Sequence, residues 1–202
     1  MLIGLLLAAC NGVPSLVDEQ DGYHGELTVS SGFPIPYFFH GSAVQWNEDY
    51  AVSVRHIPFL SGVVYTCSTG CDLVFIRHKA KGPLPHWREP VKGEVVTAVG
   101  FSPLLFSMKG QGQAIGLRVM LPNSSDPTAY AAHDGPIVQG MSGGPVYGAD
   151  GAVLGMTIGI LYGELPKFGE FASRERLSLY VPYDIVQREW ENFSRQRSNV
   201  AF

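Results

Sequence analysis

The chain has 202 residues, and its 14 Lys and Arg against 18 Asp and Glu give a formal net charge of −4 at pH 7. This mildly acidic balance lacks the basic surface by which proteins bind nucleic acid, so no nucleic-acid partner is expected. The 24 glycines, 14 prolines and 46% apolar residues predict a domain of short strands and turns that is long enough to bury a sizeable core.

The first element in chain order is the apolar segment Met1–Ala9, which is too short to span a bilayer and is followed by Cys10. The run that ends in Cys10 resembles a bacterial lipoprotein signal, although it lacks the basic residues usual near Met1. We therefore expect residues 1–20 to be a signal and tether, with Cys10 lipidated and the protein exported, either anchored to a membrane or free outside the cytoplasm. The alternative is a buried N-terminal strand in a cytoplasmic protein.

Apolar and β-branched runs separated by turn signals predict a series of short strands in the rest of the chain. They are Leu27–Ser30, Tyr37–Val44, Ala51–Val54, Val63–Cys67, Leu73–Arg77, Glu94–Gly100, Ala114–Met120, Pro145–Tyr147 and Val153–Ile160. Strands at this spacing are typical of a β-barrel or a β-sandwich.

A single helix is predicted over Tyr183–Arg197, where Val186, Trp190 and Phe193 fall on one face. Pro182 precedes it and is an acceptable helix start. The charged side chains along the helix are interpreted as a solvated face; they are Arg188, Glu189, Glu191, Arg195 and Arg197.

The segment with the clearest chemistry is Gly140-Met141-Ser142-Gly143-Gly144-Pro145. Acyl transfer needs a nucleophile beside donors that are aimed at the oxyanion, and backbone N–H groups among glycines supply such donors. The segment also fits the G-x-S-x-G nucleophile elbow, in which the base histidine follows the serine. All six histidines of this chain precede Ser142, so the elbow interpretation fails.

Two upstream segments supply partners for the serine. A strand-like run from Ala51 ends in His56, and Asp72 stands at the head of an apolar strand that begins with Leu73. In their sequence and order, these segments and the serine segment resemble the trypsin/chymotrypsin-like serine peptidases. The rival acids are Asp49, which precedes the histidine, and Asp134, which is close to the serine, so neither fits the order of that family.

The resemblance implies a serine endopeptidase whose partner is a protein or peptide substrate. Ser142 would be the nucleophile, His56 the general base and acid, and Asp72 the group that orients the imidazole. The N–H groups of Gly140 and Ser142 would form the oxyanion hole. The alternative is an inactive, peptidase-like binding or scaffold protein.

The resemblance also implies an all-β fold of two six-stranded antiparallel β-barrels of the chymotrypsin-like type with a C-terminal helix. The first barrel would cover about 21–90, the second about 91–181, and the helix about 183–197. Asp72 follows His56 by only 16 positions, and a hairpin that returns to the mouth of the barrel could bring the aspartate beside the imidazole. Cys67 and Cys71 face each other across that hairpin and could close a disulfide in an oxidising compartment.

The same resemblance implies which substrate side chains the protein would select. Relatives that select basic side chains carry an aspartate six residues before the serine, where this chain has Pro136. An uncharged, small or apolar residue is therefore expected before the cleaved bond, with Pro136, Ile137 and Val138 as one wall. The alternative is an acidic or amide residue held by His133.

An extended substrate is expected to pair along the strand that holds Thr157, Ile158 and Gly159. Cys67 and Cys71 lack the second ligand pair of a structural zinc site, so no metal and no cofactor are expected.

Overall fold

A computed structural model describes residues 12–18, 21–35, 37–102, 106–121, 126–162 and 176–200. Within these ranges the strands are β1 (Ser15–Leu16), β2 (Glu26–Ser31), β3 (Phe39–Gln45), β4 (Tyr50–Ser53), β5 (Val63–Thr66), β6 (Val74–Arg77), β7 (Val95–Phe101), β8 (Ser107–Met120), β9 (Ala129–His133), β10 (Pro145–Gly148), β11 (Val153–Tyr162) and β12 (Arg176–Pro182). The helix is α1 (Tyr183–Val200). The expected signal segment, with Cys10, lies outside the described residues.

The first sheet is antiparallel, with the strand order β2-β3-β4-β6-β5. Successive side chains of a strand point to opposite faces, and both faces of the central strands are buried. One face carries Ala43, Ala51, Val74 and Ile76, and the other carries Val44, Val52 and Phe75. Burial on both faces explains why these strands are almost continuously apolar.

The second sheet is also antiparallel, with the order β1-β8-β7-β10-β11-β12-β9. Because β9 pairs with β8 as well as with β12, the pairings of strands β7 to β12 run round in a ring. Val146, Leu154 and Tyr180 lie in one core cluster of this sheet together with Met141 of the serine segment. The serine segment is therefore anchored in the core of the second sheet.

The predicted all-β fold class with a C-terminal helix is confirmed, but the first sheet has five strands in the described residues. The short segment between His56 and Asp72 has room for one strand, β5, which explains the smaller sheet. Strands β1, β9 and β12 were not predicted. The alternating Leu177, Leu179 and Val181 would have identified β12.

Helix α1 packs its apolar face on the first sheet through aromatic rings. Phe193 lies 5.4 Å from Tyr65, 5.5 Å from Tyr50 and 6.2 Å from Phe75, measured between ring centroids. Trp190 contacts Tyr50 and Phe75 from the next turn of the helix. Aromatic pairs at these separations add to the free energy of burial. The C-terminal helix therefore contributes to the stability of the first sheet.

Among the helices that the described ranges contain, none is both long enough and apolar enough to cross a membrane.

Replacement of Phe193 by Ala should lower the free energy of unfolding by about 3 to 5 kcal/mol, because it leaves a cavity among packed rings. Phe193 is 6% exposed, whereas Phe106 is 59% exposed. Phe106→Ala is the matched control and should change stability by about 0.5 kcal/mol or less. Urea unfolding followed by tryptophan fluorescence measures both variants, and equal losses would contradict the packing described here.

Candidate active site

The serine segment forms a tight turn between β9 and β10. The N–H of Met141 donates to the Val138 carbonyl at 3.2 Å, and that of Gly144 donates to the Met141 carbonyl at 3.0 Å. Gly140 and Gly143 have φ angles of 89° and 88°, in the left-handed region that favours glycine. These glycines allow the chain to turn sharply on both sides of Ser142.

Glycine is also required here by the close approach of other strands. A Cβ at Gly143 would lie 1.8 Å from the Ser42 carbonyl oxygen, and one at Gly144 would lie 2.1 Å from that of Val99. In addition, the Gly143 N–H donates to the Thr157 carbonyl at 2.8 Å, which fastens the turn to β11. A side chain at Gly143 would push the turn away from β3 of the first sheet, and one at Gly144 would push it away from β7 of the second.

Ser42 of β3 connects the serine turn to the first sheet. Its N–H donates to the Ser142 carbonyl at 2.9 Å, and its hydroxyl donates to the Gly140 carbonyl at 3.1 Å. The same hydroxyl accepts the N–H of Phe101 at 2.7 Å. Ser42 is completely buried, so these bonds are protected from water. These hydrogen bonds, called the Ser42 clamp below, fix Ser142 relative to β3 and β4, the strands that lead to His56.

The side chain of Met141 anchors the turn in the core of the second sheet. Its side chain is completely buried in the core cluster that includes Ile137, Val146 and Tyr180. Neither Gly140 nor Ser142 donates its N–H to an acceptor within the described ranges. Backbone N–H groups without acceptors, here on either side of Met141, are the kind of donor that can bind an oxyanion.

His56 follows β4 and is held twice by the carboxylate of Asp72. The imidazole Nδ1 lies 2.6 Å from Asp72 Oδ2, and the backbone N–H of His56 donates to Asp72 Oδ1 at 3.0 Å. A carboxylate only accepts hydrogen bonds, so Nδ1 carries a proton and the Nε2 of the neutral ring has its lone pair free. This tautomer is the one that a general base needs.

The same contact shifts the protonation of the ring. The hydrogen bond from His56 to Asp72 raises the pKa of His56 above its ordinary value of 6.5, and burial offsets part of this rise. The imidazole side chain is 50% exposed, so a substrate and solvent can reach it.

The hydroxyl of Ser142 makes a different contact. It donates to the carbonyl oxygen of Ile158 at 3.4 Å, a long hydrogen bond. The structure therefore brings His56 and Asp72 into direct contact, whereas the described hydrogen bond of Ser142 goes to β11. In proteins without bound substrate, hydrogen bonds between catalytic groups are often long or poorly aligned.

The turn that carries Asp72 is fastened at several points. A disulfide joins Cys67 and Cys71, directly before Asp72. The N–H of Asp72 donates to the hydroxyl of Tyr130 at 3.0 Å, and that hydroxyl donates to Asp126. Tyr130 is fully buried in β9, so it links Asp72 to the second sheet. Burial raises the pKa of Tyr130, which keeps its hydroxyl protonated as a donor.

Glu189 corrects the interpretation of the helix as having a solvated charged face. Its side chain is completely buried, and it accepts bonds from the Tyr65 hydroxyl at 2.9 Å and the Ser68 N–H at 2.8 Å. Arg188 pairs with it at 3.0 Å. Burial alone would raise the pKa of Glu189, but the hydrogen bonds from Ser68 and Tyr65 hold it below its ordinary value. Sequence analysis missed this residue because its partners lie more than 100 positions away.

The predicted wall residues Pro136 and Ile137 are both buried. Ile137 packs in the core, and its carbonyl accepts a bond from the Arg176 guanidinium at 2.8 Å. His133 is completely buried and accepts the Gly135 N–H at 3.1 Å through Nδ1. Burial lowers the pKa of His133 to about 4, so the ring is neutral at pH 7.

The strand on which an extended substrate is expected to pair is β11. Thr157 pairs with Tyr180 of β12, and the register shifts between Thr157 and Gly159. This irregularity leaves Ile158 out of the β12 pairing, with its carbonyl turned to Ser142. A Cβ at Gly159 would meet nothing within 4 Å, so there is open space above this glycine.

The two rival acids make other contacts. Asp49 pairs with Lys79 at 3.1 Å on the surface. Asp134 accepts the Gln113 N–H at 2.7 Å. His56 is bonded to Asp72 instead of to either of them.

Across the described part of the chain, no three His, Cys, Asp or Glu side chains lie together in a way that could hold a metal ion.

Comparison with known proteins relates the chain to solved structures only. No family model matches it, and no curated protein matches it. Rv3671c from M. tuberculosis H37Rv, in the inactive form of a serine-to-alanine mutant, is 14% identical with a TM-score of 0.62, over 84% of this chain and 87% of that chain. A second structure of the Rv3671c protease, also inactive, is 15% identical with a TM-score of 0.59, over 83% and 87%.

A serine endoprotease from Yersinia pestis is 19% identical with a TM-score of 0.61. The match covers 85% of this chain but 63% of that chain, so this protein spans less than two thirds of it. These structures belong to trypsin-like serine proteases. The chain therefore has a chymotrypsin-like fold, built from two antiparallel sheets and a C-terminal helix.

Replacement of Glu189 by Ala should lower the free energy of unfolding by about 3 kcal/mol or more, because it leaves several buried donors unpaired. Glu191→Ala, on the exposed face, is the control and should change stability by about 0.5 kcal/mol or less.

The stability that Glu189 provides should also depend on pH. Because the folded-state pKa of Glu189 is lowered, its contribution to stability is present above its unfolded pKa and is lost as pH falls through the folded value. Glu189→Gln should therefore remove part of the acid sensitivity of unfolding. Unfolding curves of the wild type and of Glu189→Gln at several pH values test this, and equal acid sensitivity in these two proteins would contradict it.

Proposed function

We propose that this protein is a serine endopeptidase that hydrolyses peptide bonds through an acyl-enzyme on Ser142. His56 acts as general base and acid, Asp72 orients the imidazole, and the N–H groups of Gly140 and Ser142 stabilise the oxyanion. The observation that carries the proposal is the double hydrogen bond of the Asp72 carboxylate to the ring and the backbone of His56. That bond selects the tautomer with a free Nε2 lone pair.

The proposed reaction begins when an extended substrate pairs along β11. A backbone N–H of the substrate then takes the Ile158 carbonyl as its acceptor and displaces the Ser142 hydroxyl. The hydroxyl turns to His56, which removes its proton as the oxygen attacks the scissile carbonyl. The resulting oxyanion accepts bonds from Gly140 and Ser142, which have no other acceptor within the described ranges. His56 then protonates the leaving amine, and water releases the acyl group by the same route.

For substrate selection we propose an uncharged, small or apolar side chain before the cleaved bond. Pro136 supports this choice, because its position provides no carboxylate for a basic side chain. The Arg176 guanidinium at the Ile137 carbonyl further disfavours a positively charged side chain. His133 is neutral and buried, so it adds no charge to this wall.

The hydrogen bond of Ser142 to Ile158 favours a second candidate, a protein that binds peptides along β11 without cleaving them. In that case the serine hydroxyl is a structural donor to β11 and stays bonded to the carbonyl in the presence of peptide. The two candidates differ in whether Ser142 becomes covalently modified.

We also propose that the protein acts in an oxidising compartment. The disulfide between Cys67 and Cys71 supports this location, because such bonds persist mainly outside the reducing cytosol. Lipidation at Cys10 remains part of the proposal.

A fluorophosphonate reagent should label the wild-type protein and leave Ser142→Ala unlabelled, because the reagent traps an activated serine. Peptide hydrolysis by Ser142→Ala or His56→Ala should fall by about a million-fold. Ser102→Ala, a buried serine outside the site, is the control and should label like the wild type. Intact-protein mass spectrometry measures the adduct, and a folded wild type that stays unlabelled would favour the binding protein.

The pH dependence of kcat/KM should follow the ionisation of His56. The ring must be neutral to accept a proton, so the rate rises as pH increases through the His56 pKa, which lies above 6.5. Asp72→Asn should lower kcat by about ten-thousand-fold. It should also move the remaining rise to lower pH, because it removes the carboxylate that raises this pKa.

Asp134→Asn is the control for this comparison and should keep the wild-type pH profile. A profile that shifts in Asp134→Asn but not in Asp72→Asn would show that the orienting acid is assigned wrongly.

A further inference from the structure

The connection between β2 and β3, together with the segment after His56, presents a group of large apolar side chains to solvent. Each is between 58% and 82% exposed. They form the apolar tip, which consists of Phe33, Ile35, Tyr37, Phe38 and Phe59. The two segments are joined by the Ser31 hydroxyl, which donates to the Pro58 carbonyl at 2.6 Å. Four exposed aromatic rings amount to on the order of 500 Å² of apolar surface, and exposed patches of this size mark interaction sites.

The backbone is shaped so that these side chains stay outside the core. The N–H of Phe38 donates to the Ile35 carbonyl at 3.2 Å, and Gly32 passes so close that a Cβ would lie 2.2 Å from the same carbonyl oxygen. Phe59 has a φ of 57°, a left-handed conformation that is strained for an aromatic residue. Its side chain gains little burial from this strain, because it is largely exposed. Strained residues of this kind cluster at sites of binding or catalysis.

The composition of the tip favours a lipid surface over a protein surface. Between Glu26 and Glu48 the sequence contains no charged residue. Pro34 and Pro36 lack an N–H, so the tip has fewer backbone donors that would lose their hydrogen bonds in hydrocarbon. Tyrosine, which Tyr37 supplies, is enriched where proteins meet the membrane interface. The tip lies beyond the last paired residues of β2 and β3, so it can enter a bilayer without a change in the sheet.

Two cationic side chains lie next to the tip. Arg55 and Arg77 are exposed, and neither forms an ion pair in the part of the chain that the structure describes. Arg55 directly precedes His56, and the N–H of Arg77 donates at 2.8 Å to the carbonyl of Gly62, at the end of the segment that carries Phe59. Cations beside an apolar surface are attracted to anionic lipid headgroups.

We propose that the apolar tip inserts into the surface of a phospholipid bilayer that contains anionic lipids, with Arg55 and Arg77 at the headgroups. This contact is independent of the proposed lipidation at Cys10. The tip is joined directly to β3, whose Ser42 holds the Ser142 carbonyl at 2.9 Å. Membrane binding therefore places the candidate nucleophile close to the bilayer. The substrates would then be polypeptides at a membrane surface, a consequence that rests on the proposed function.

The binding test uses full-length Cys10→Ser protein, which cannot be lipidated, with mixed vesicles of phosphatidylcholine and phosphatidylglycerol. In this background Phe33→Ser/Phe38→Ser should weaken co-sedimentation with the vesicles by about tenfold or more, because binding scales with the apolar area that enters the lipid. Val91→Ser/Phe106→Ser is the matched control, since these side chains are 62% and 59% exposed outside the tip. The control should bind vesicles like the Cys10→Ser protein.

Two further measurements define the contact in the same background. The tryptophan added in Phe33→Trp should shift its emission to shorter wavelength on vesicles and be quenched by brominated phosphatidylcholine, whereas that in Phe106→Trp should do neither. Arg55→Ser/Arg77→Ser should weaken binding to the mixed vesicles by about tenfold and leave binding to pure phosphatidylcholine unchanged. Equal weakening on both kinds of vesicle would overturn the role of these arginines at anionic headgroups.

Absence of vesicle binding by Cys10→Ser protein would overturn the proposal. Equal binding by Phe33→Ser/Phe38→Ser with an unchanged melting profile would overturn the assignment to the tip. Sedimentation velocity tests a second copy as the occupant: a dimer that becomes monomeric in this variant, without vesicle binding, would show that the tip joins two copies of the chain.

The consequence for substrates is tested with one peptide in two forms, free and linked to a phospholipid headgroup in the mixed vesicles. Phe33→Ser/Phe38→Ser should lower kcat/KM for the linked peptide by about fivefold or more and leave that for the free peptide unchanged. Equal losses on both forms would show that the tip holds the substrate chain, which overturns the bilayer as its partner. If the wild type hydrolyses neither form, the proposed function fails, and the vesicle measurements still decide whether the tip binds lipid.

Discussion

The position of the candidate nucleophile depends on one contact between the two sheets, the clamp that Ser42 places on the serine turn. The N–H and the hydroxyl of Ser42 hold the carbonyls of Ser142 and Gly140, and Gly143 passes so close to Ser42 that a Cβ would lie 1.8 Å from its carbonyl oxygen. Because β3 also pairs with β4, the strand that leads to His56, the clamp relates the serine turn to the histidine through only two strands. The glycines of the turn are thus required as much by the meeting of the sheets as by the turn itself.

Asp72 is held by a different set of constraints, which come from three parts of the chain. The disulfide closes its turn locally, Tyr130 anchors its backbone to the second sheet, and Glu189 of the helix holds Ser68 within the turn. Deletion of any one contact leaves the other two, so the carboxylate is over-determined in position. Such redundancy explains how Asp72, only 16 positions after His56, still presents its carboxylate to the imidazole.

The parts of the site that sequence analysis predicted are those whose signal is local. The serine segment concentrates glycines around one hydroxyl, and the pairing of His56 with Asp72 was implied by a resemblance that rests on short local motifs. Ser42, Tyr130 and Glu189 were not predicted, because their partners lie 98, 58 and 121 positions away. On a helix with polar neighbours, a glutamate is ordinarily solvated, and only the packed fold reveals that this one is buried. In the same way, turn spacing predicts a β-barrel or β-sandwich, the two-barrel arrangement was implied by the resemblance, and the pairing of the strands is apparent only in the folded chain.

The resting contact of Ser142 with Ile158 fits a site that is completed by its substrate. At 3.4 Å between a hydroxyl and a carbonyl, this contact is longer than an ordinary O–H···O hydrogen bond, so it contributes less than the roughly 1 kcal/mol of a typical neutral bond. A substrate strand that pairs with β11 offers a backbone N–H to the same carbonyl and gains further ladder bonds along the strand. The exchange therefore favours the substrate, and it frees the hydroxyl at the moment when a scissile carbonyl is present. Until then the ring of His56 is half-exposed and open to solvent. Under the proposed mechanism, the weak contact at Ile158 thus ties activation of the nucleophile to occupation of β11.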